Sequence, residues 1–235
     1  MTADFRPEDH YSERVGRVYE AAEASRGPLS GDVIFDIAAE FGVGDGSLVL
    51  DVGCANGFST RKLQARTGCT LEGVDFVELL VRMGRAEPEA AGLQHKVNIR
   101  RGTILDIPFP DDHFDFVFCR DTLSVIEDLP KAVSECERVL KPGKFMLVYV
   151  TQATERLSAD EADEFRQHLG CFSLDADVMD ACLSDAFAVE RRIVVGSQGV
   201  QQRVESGDDE AIRNLAKVAR LETWRDGRPR RLVLT

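Results

Sequence analysis

The sequence predicts an α/β fold: a doubly wound, mainly parallel sheet of seven strands, the last antiparallel. Three observations carry this. Leu48-Val49-Leu50, followed by Val52, is a short apolar run of the kind found in strands buried on both faces. The run stops at Gly53, Gly57 follows four residues later, and Phe58 to Leu63 opens a helix, so strand, glycine turn and helix stand in order. Four more strand-like runs then alternate with helical segments, before a strand-helix-strand ending.

Taken in order, Tyr11, Val15, Val18 and Tyr19 sit at helical spacing, and Gly27-Pro28 breaks that pattern. A helix is expected from Asp32 through Phe41, with Ile34, Phe35, Ala38 and Ala39 inward. After the glycine turn, a helix runs to about Thr67 and ends at Gly68. Thr70 to Val74 reads as the second strand, ending at Asp75. The next helix starts at Val77, is interrupted by Pro88 and ends at Gly92. Val97 to Arg100 and Asp115 to Cys119 are the third and fourth strands. Pro130 opens a helix that Lys141-Pro142-Gly143-Lys144 stops, and Phe145 to Val150 is the fifth strand. Beyond it, helices are expected at Ser158–Leu169, Asp175–Phe187 and Asp208–Leu221. Strands are expected at Val189–Val195 and Arg231–Thr235.

The 235 residues fit one α/β domain with a full core. A net charge of −12 argues against nucleic acid, which needs a basic face, and against an anionic membrane surface. The N-terminus lacks the apolar segment of a secretion signal, and no apolar run reaches membrane-spanning length. The six cysteines form no Cys-x-x-Cys pair and have no histidine cluster beside them. Free thiols in a reducing cytoplasm are expected, with no metal.

The turn itself speaks about ligand. The dinucleotide fingerprint Gly-x-Gly-x-x-Gly fails, because Ala55 and Phe58 occupy its second and third glycine positions. Asp51, just before the turn, would repel a phosphate and tolerate a cation. Asp75 lies about 20 positions on, where a carboxylate can accept from ribose hydroxyls, and Phe76 beside it suits an adenine face. Asp75 is also placed to cap the following helix, and both roles can hold together.

Asp51-x-Gly53-x-Ala55-x-Gly57 resembles the first motif of the class I S-adenosylmethionine-dependent methyltransferases, with Ala55 where the family usually has glycine. The stretch from Gly102 through Leu105, Pro108-Phe109, Asp111 and Phe114-Asp115 is similar to a second family segment. Thr103-Ile104 stand where that segment has Asp-Ala against the adenine, and Asp106 is an alternative contact. The string ERVLKPGKFMLVYV matches the family's turn into its fifth strand.

The resemblance implies a Rossmann-like domain over 47–235 and a helical lid over 1–46. It also implies acceptor-pocket insertions after 150 and at 196–221. The implied cofactor is S-adenosylmethionine, leaving S-adenosylhomocysteine as product. The residues implied to bind it are Tyr19, Asp51, Gly53, Cys54, Ala55, Gly57, Asp75, Phe76, Thr103, Ile104, Asp106, Arg120 and Asp121. Methyl transfer to a small-molecule acceptor is then expected by in-line displacement, with positioning as the protein's main contribution. The idiosyncratic segments suggest a bulky peptide or polyketide metabolite, as in antibiotic biosynthesis. No motif marks a general base; the candidates are His10, Tyr11, His113, His168 and Glu127. Two other readings stand: a cofactor-binding regulatory subunit without catalysis, and a nucleotide-dependent oxidoreductase. Either a monomer or a homodimer suits the sequence.

Overall fold

The computed structural model describes residues 32–152, 157–160, 162–163, 172–196 and 231–234. Its centre is a parallel sheet of five strands: β1 (Leu48–Val52), β2 (Thr70–Asp75), β3 (Val97–Arg101), β4 (Phe114–Arg120) and β5 (Leu140–Gln152). Their order across the sheet is β3-β2-β1-β4-β5. The helices are α1 (Asp32–Glu40), α2 (Phe58–Thr67), α3 (Glu78–Ala90), α4 (Leu129–Val139) and α5 (Ala176–Ala186). Two short backbone segments, β6 (Ile193–Gly196) and β7 (Arg231–Leu234), continue beyond β5; β7 runs antiparallel to both β5 and β6.

Alternation along the central strands divides the core into two layers. Val49, Phe116 and Phe118 join Ile34, Phe35, Ile37 and Ala38 of α1, together with Leu63 of α2. Leu50, Val52, Val117 and Cys119 join Ala132, Val133, Cys136 and Val139 of α4, with Met179 and Leu183 of α5. Helices therefore cover both faces, which is why the strands read as apolar runs.

The structure corrects four local expectations. Ala39 is exposed, and Ile37 takes the inward place in α1. Pro88 does not interrupt α3: it lies in the last turn, where it forgoes the one helix bond to the Gly84 carbonyl, and its own carbonyl accepts from Leu93 N–H. β5 begins at Leu140, because Leu140 already pairs with Phe114. The Pro142-Gly143 corner is a bulge within the strand, with Gly143 at φ 71°. β6 starts at Ile193, after an exposed Val189. The expected segments at 1–30 and 208–221 lie outside the described residues, as do Cys171 and most of 158–169.

Candidate functional site

The carboxyl ends of β3, β2, β1 and β4 lie side by side, and the loops that leave them form the site. At the end of β1, the N–H groups of Gly53 and Cys54 both donate to the carbonyl of Val74, which fastens the turn to β2. Gly53, Ala55 and Gly57 all have positive φ, at 74°, 49° and 72°. A Cβ on Gly53 would stand 2.1 Å from Thr122 Oγ1, so the approach of the β4 loop requires glycine there. Thr122 Oγ1 also donates to the Val52 carbonyl, which ties that loop to β1.

Asp51 lies beneath the turn, 1% exposed, and its Oδ2 accepts from Thr60 Oγ1 at 2.5 Å. Burial pushes its carboxyl up to about 7, against the opposing effects of the Thr60 hydroxyl and the Arg120 charge. Arg120 donates to Ser59 Oγ at 2.6 Å and lies over the Tyr149 ring. The first turn of α2 is thus tied to β1 through Thr60 and to β4 through Ser59.

Asp75 is buried at the end of β2. Its Oδ2 accepts from Ala55 N–H at 2.8 Å and its Oδ1 from Val77 N–H at 2.9 Å. Desolvation raises its pKa, in spite of those bonds. It braces the turn and opens α3, and each oxygen keeps a lone pair for a further donor. The Phe76 ring beside it is 37% exposed. Thr103 and Ile104 follow β3, with a bridge between Thr103 and Asp106; Ile104 is buried and Asp106 exposed. Asp121, past β4, is held at φ 52° and donates its N–H to the Tyr149 carbonyl.

Cys54, expected at the cofactor from its place in the turn, is buried against Gly73, and desolvation pushes its thiol well above the ordinary value. Of the base candidates, His113 precedes β4 at the opposite end of the sheet and stacks on Phe109, which removes it from the site. Glu127 is exposed beyond the short 3-10 turn Leu123–Val125. His10, Tyr11, Tyr19 and His168 lie outside the described residues. Sequence reasoning missed Thr60, Ser59 and Thr122. A hydroxyl in the first turn after a buried aspartate was the available signal for the first two; Thr122 gave none.

The donor set suits a nucleoside with a positive tail. The Asp75 charge adds to the cost of ionising the buried Asp51, and an acidic pair of this kind disfavours a phosphate. Asp75 and Phe76 together offer a hydrogen-bond acceptor and a flat apolar face. The fold is shared with methyltransferases solved with S-adenosylmethionine or S-adenosylhomocysteine. Residues 50–148 match the family model described as "Methyltransferase domain". The chain is 31% identical over 134 residues to a sterol 24-C-methyltransferase from Aspergillus fumigatus, covering 57% of this chain and 36% of that protein. It spans less than half the length of the curated relatives it matches.

Geranyl diphosphate C-methyltransferase from Streptomyces coelicolor, solved with S-adenosylhomocysteine, superposes with a TM-score of 0.71 at 18% identity, covering 86% of this chain and 76% of that one. The [4+2]-cyclase SpnF superposes at 0.72 with 21% identity, covering 87% and 79%. A geranyl diphosphate methyltransferase solved with S-adenosylmethionine superposes at 0.69 with 18% identity, covering 94% of this chain and 83% of that one. At these identities the three structures establish the fold alone.

Proposed function

We propose that the chain transfers a methyl group from S-adenosylmethionine to a bulky, largely apolar small molecule of secondary metabolism. The observation that carries this is the arrangement of Asp51, the Gly53–Gly57 turn, Asp75 and Phe76 at adjoining strand ends. When bound, the cofactor supplies a methyl already activated on a sulfonium. The chain's own task is to orient and to exclude water. Asp75 takes the ribose hydroxyls while its backbone bonds keep the turn open. Phe76, Ile104 and Thr103 enclose the adenine, with Asp106 at the rim. Asp51 balances the positive end of the cofactor from below, through the turn formed by Gly53, Cys54, Ala55 and Gly57. Arg120 and Asp121 border the methionine end. Positioning of this kind contributes on the order of 7–11 kcal/mol in well-aligned systems.

The acceptor half is assigned by chain position: the lid to 1–46, with Tyr19 against the cofactor, and the acceptor walls to the segments after 150 and at 196–221. The described ends of those walls support this. Gln152 and Gly196 are terminal residues of β5 and β6, and Phe172 and Ser173 both donate their N–H groups to the Ser124 carbonyl just past β4. β6 and β7 are read as completing a seven-stranded sheet whose last strand is antiparallel. The acidic surface supports a small-molecule acceptor over nucleic acid, and a soluble cytoplasmic monomer or homodimer. No helix among the described residues is long and apolar enough to cross a membrane.

A second reading keeps the cofactor site without methyl transfer. The superposition on a protein named as a cyclase favours carrying it, since one scaffold hosts several chemistries. Incubation with methyl-labelled cofactor and a panel of terpenoid, polyketide and peptide acceptors separates the two. Label in an acceptor supports the transferase. Tight cofactor binding with no label transferred to any acceptor favours the second reading.

A further inference from the structure

The loop from Gly102 to His113 joins β3 to β4 and carries Thr103, Ile104 and Asp106, the residues read above as the adenine wall. Within itself it makes few bonds: Leu105 N–H to Thr103 Oγ1, Asp106 N–H to the Thr103 carbonyl, and Phe109 N–H to the Ile107 carbonyl. Its far half is held instead by α4. Glu135 is 6% exposed, and its Oε2 accepts from Ile107 N–H at 2.9 Å. Arg138 donates from Nη2 to the Ile107 carbonyl at 3.0 Å and to Glu135 Oε2 at 2.7 Å. Its Nη1 reaches the Phe109 carbonyl at 2.9 Å and Asp111 Oδ1 at 2.8 Å, and its Nε reaches Glu135 Oε1 at 3.0 Å.

These bonds engage all five donors of the guanidinium, in a planar fork that a lysine cannot copy. Two backbone bonds finish the seam, from Asp112 N–H to the Arg138 carbonyl and from His113 N–H to the Val139 carbonyl. Ile104 and Ile107 bury their side chains in the same core layer as Ala132, Val133 and Cys136 of α4. The loop's position is therefore set from behind, and only a few residues separate the clamp from Thr103.

We propose that Glu135 and Arg138 are positioning residues for cofactor binding: from a helix that does not touch the ligand, they hold Thr103 and Ile104 in register with Asp75 and Phe76. This rests on the reading of the site given above.

The test is calorimetric titration with S-adenosylhomocysteine, in the cold, on variants shown to be folded by near-ultraviolet circular dichroism. The variants are Arg138→Met, Arg138→Lys and Glu135→Gln. Leu183→Ala, which opens the same core layer from α5 and leaves the Glu135–Arg138 bonds in place, is the control. The two Arg138 variants are expected to weaken binding by about tenfold, and Glu135→Gln by a smaller factor in the same direction. The control should lose melting temperature and keep its dissociation constant. Arg138→Lys decides the matter should Arg138→Met not fold. Wild-type affinity in the Arg138 variants, or an equal loss in the control, overturns the inference alone. Failure of the wild-type protein to bind S-adenosylhomocysteine overturns the reading of the site as well.

Discussion

At the scale of single residues, Asp51 links the site to pH. Its carboxyl titrates at about 7 in the folded protein, against about 3.9 in an unfolded chain. Between those values the native state holds more protons than the unfolded state. Asp51's contribution to stability is therefore full at low pH and drains away as pH rises through about 7. Asp75 is shifted in the same direction. Glu135 is shifted the other way, to about 2, chiefly by its bonds with Arg138; its contribution is complete above the ordinary carboxylate range and falls only as pH drops toward that value. Raising pH from mildly acidic to mildly alkaline should thus lower the melting temperature, and Asp51→Asn should flatten that slope. Over the same range, affinity for the sulfonium cofactor should rise in the wild type and stay level in Asp51→Asn; a level wild-type profile counts against the buried carboxylate's role. Ala55, at φ 49°, pays for a left-handed conformation. Ala55→Gly removes roughly 1–2 kcal/mol of strain but adds about 0.4–1 kcal/mol of unfolded-state entropy. Urea denaturation should show a net gain between about 0 and about 1.6 kcal/mol. Gly53→Ala has no such compensation: Thr122 is in the way, and S-adenosylhomocysteine binding should be lost.

At the scale of elements, α1 and β4 show what packing adds to pattern. Phe35 and Phe118 meet with ring centroids 6.0 Å apart, both fully buried. Phe35→Ala should cost about 3–5 kcal/mol in denaturant unfolding and loosen α1 from the sheet; a cost below about 1 kcal/mol would mean that α1 does not depend on this contact. The strands from Leu48 and Phe114 were legible because burial on both faces writes a nearly continuous apolar run, whereas the strand from Val97 was legible by alternation, with Val97 and Ile99 buried and Asn98 exposed. The turn at Gly53 was legible because only a few residue types suit positive φ. Pro88 and the Pro142-Gly143 corner misled because each residue's local rule was outvoted by pairing around it: α3 was already ending at Pro88, and Leu140 had a partner in Phe114. Of the site, Asp75 could be placed by its spacing from the turn. The Thr60, Ser59 and Thr122 contacts could not, since a hydroxyl carries no sequence signature of the partner that the fold brings to it.

At the scale of the whole molecule, the match to a methyltransferase domain covers the proposed cofactor site and stops short of the segments proposed to choose the acceptor. The family match ends at residue 148, where β5 is nearly complete, and the segments that would choose an acceptor follow it. The central claim is that buried carboxylates at adjoining strand ends select a cationic thioether nucleoside over a phosphorylated one. Competitive equilibrium dialysis with S-adenosylhomocysteine and NADH measures this most directly. Retention of S-adenosylhomocysteine, weakened by Asp75→Asn, with NADH passing freely, is the predicted result; retention of NADH with S-adenosylhomocysteine passing freely would contradict it.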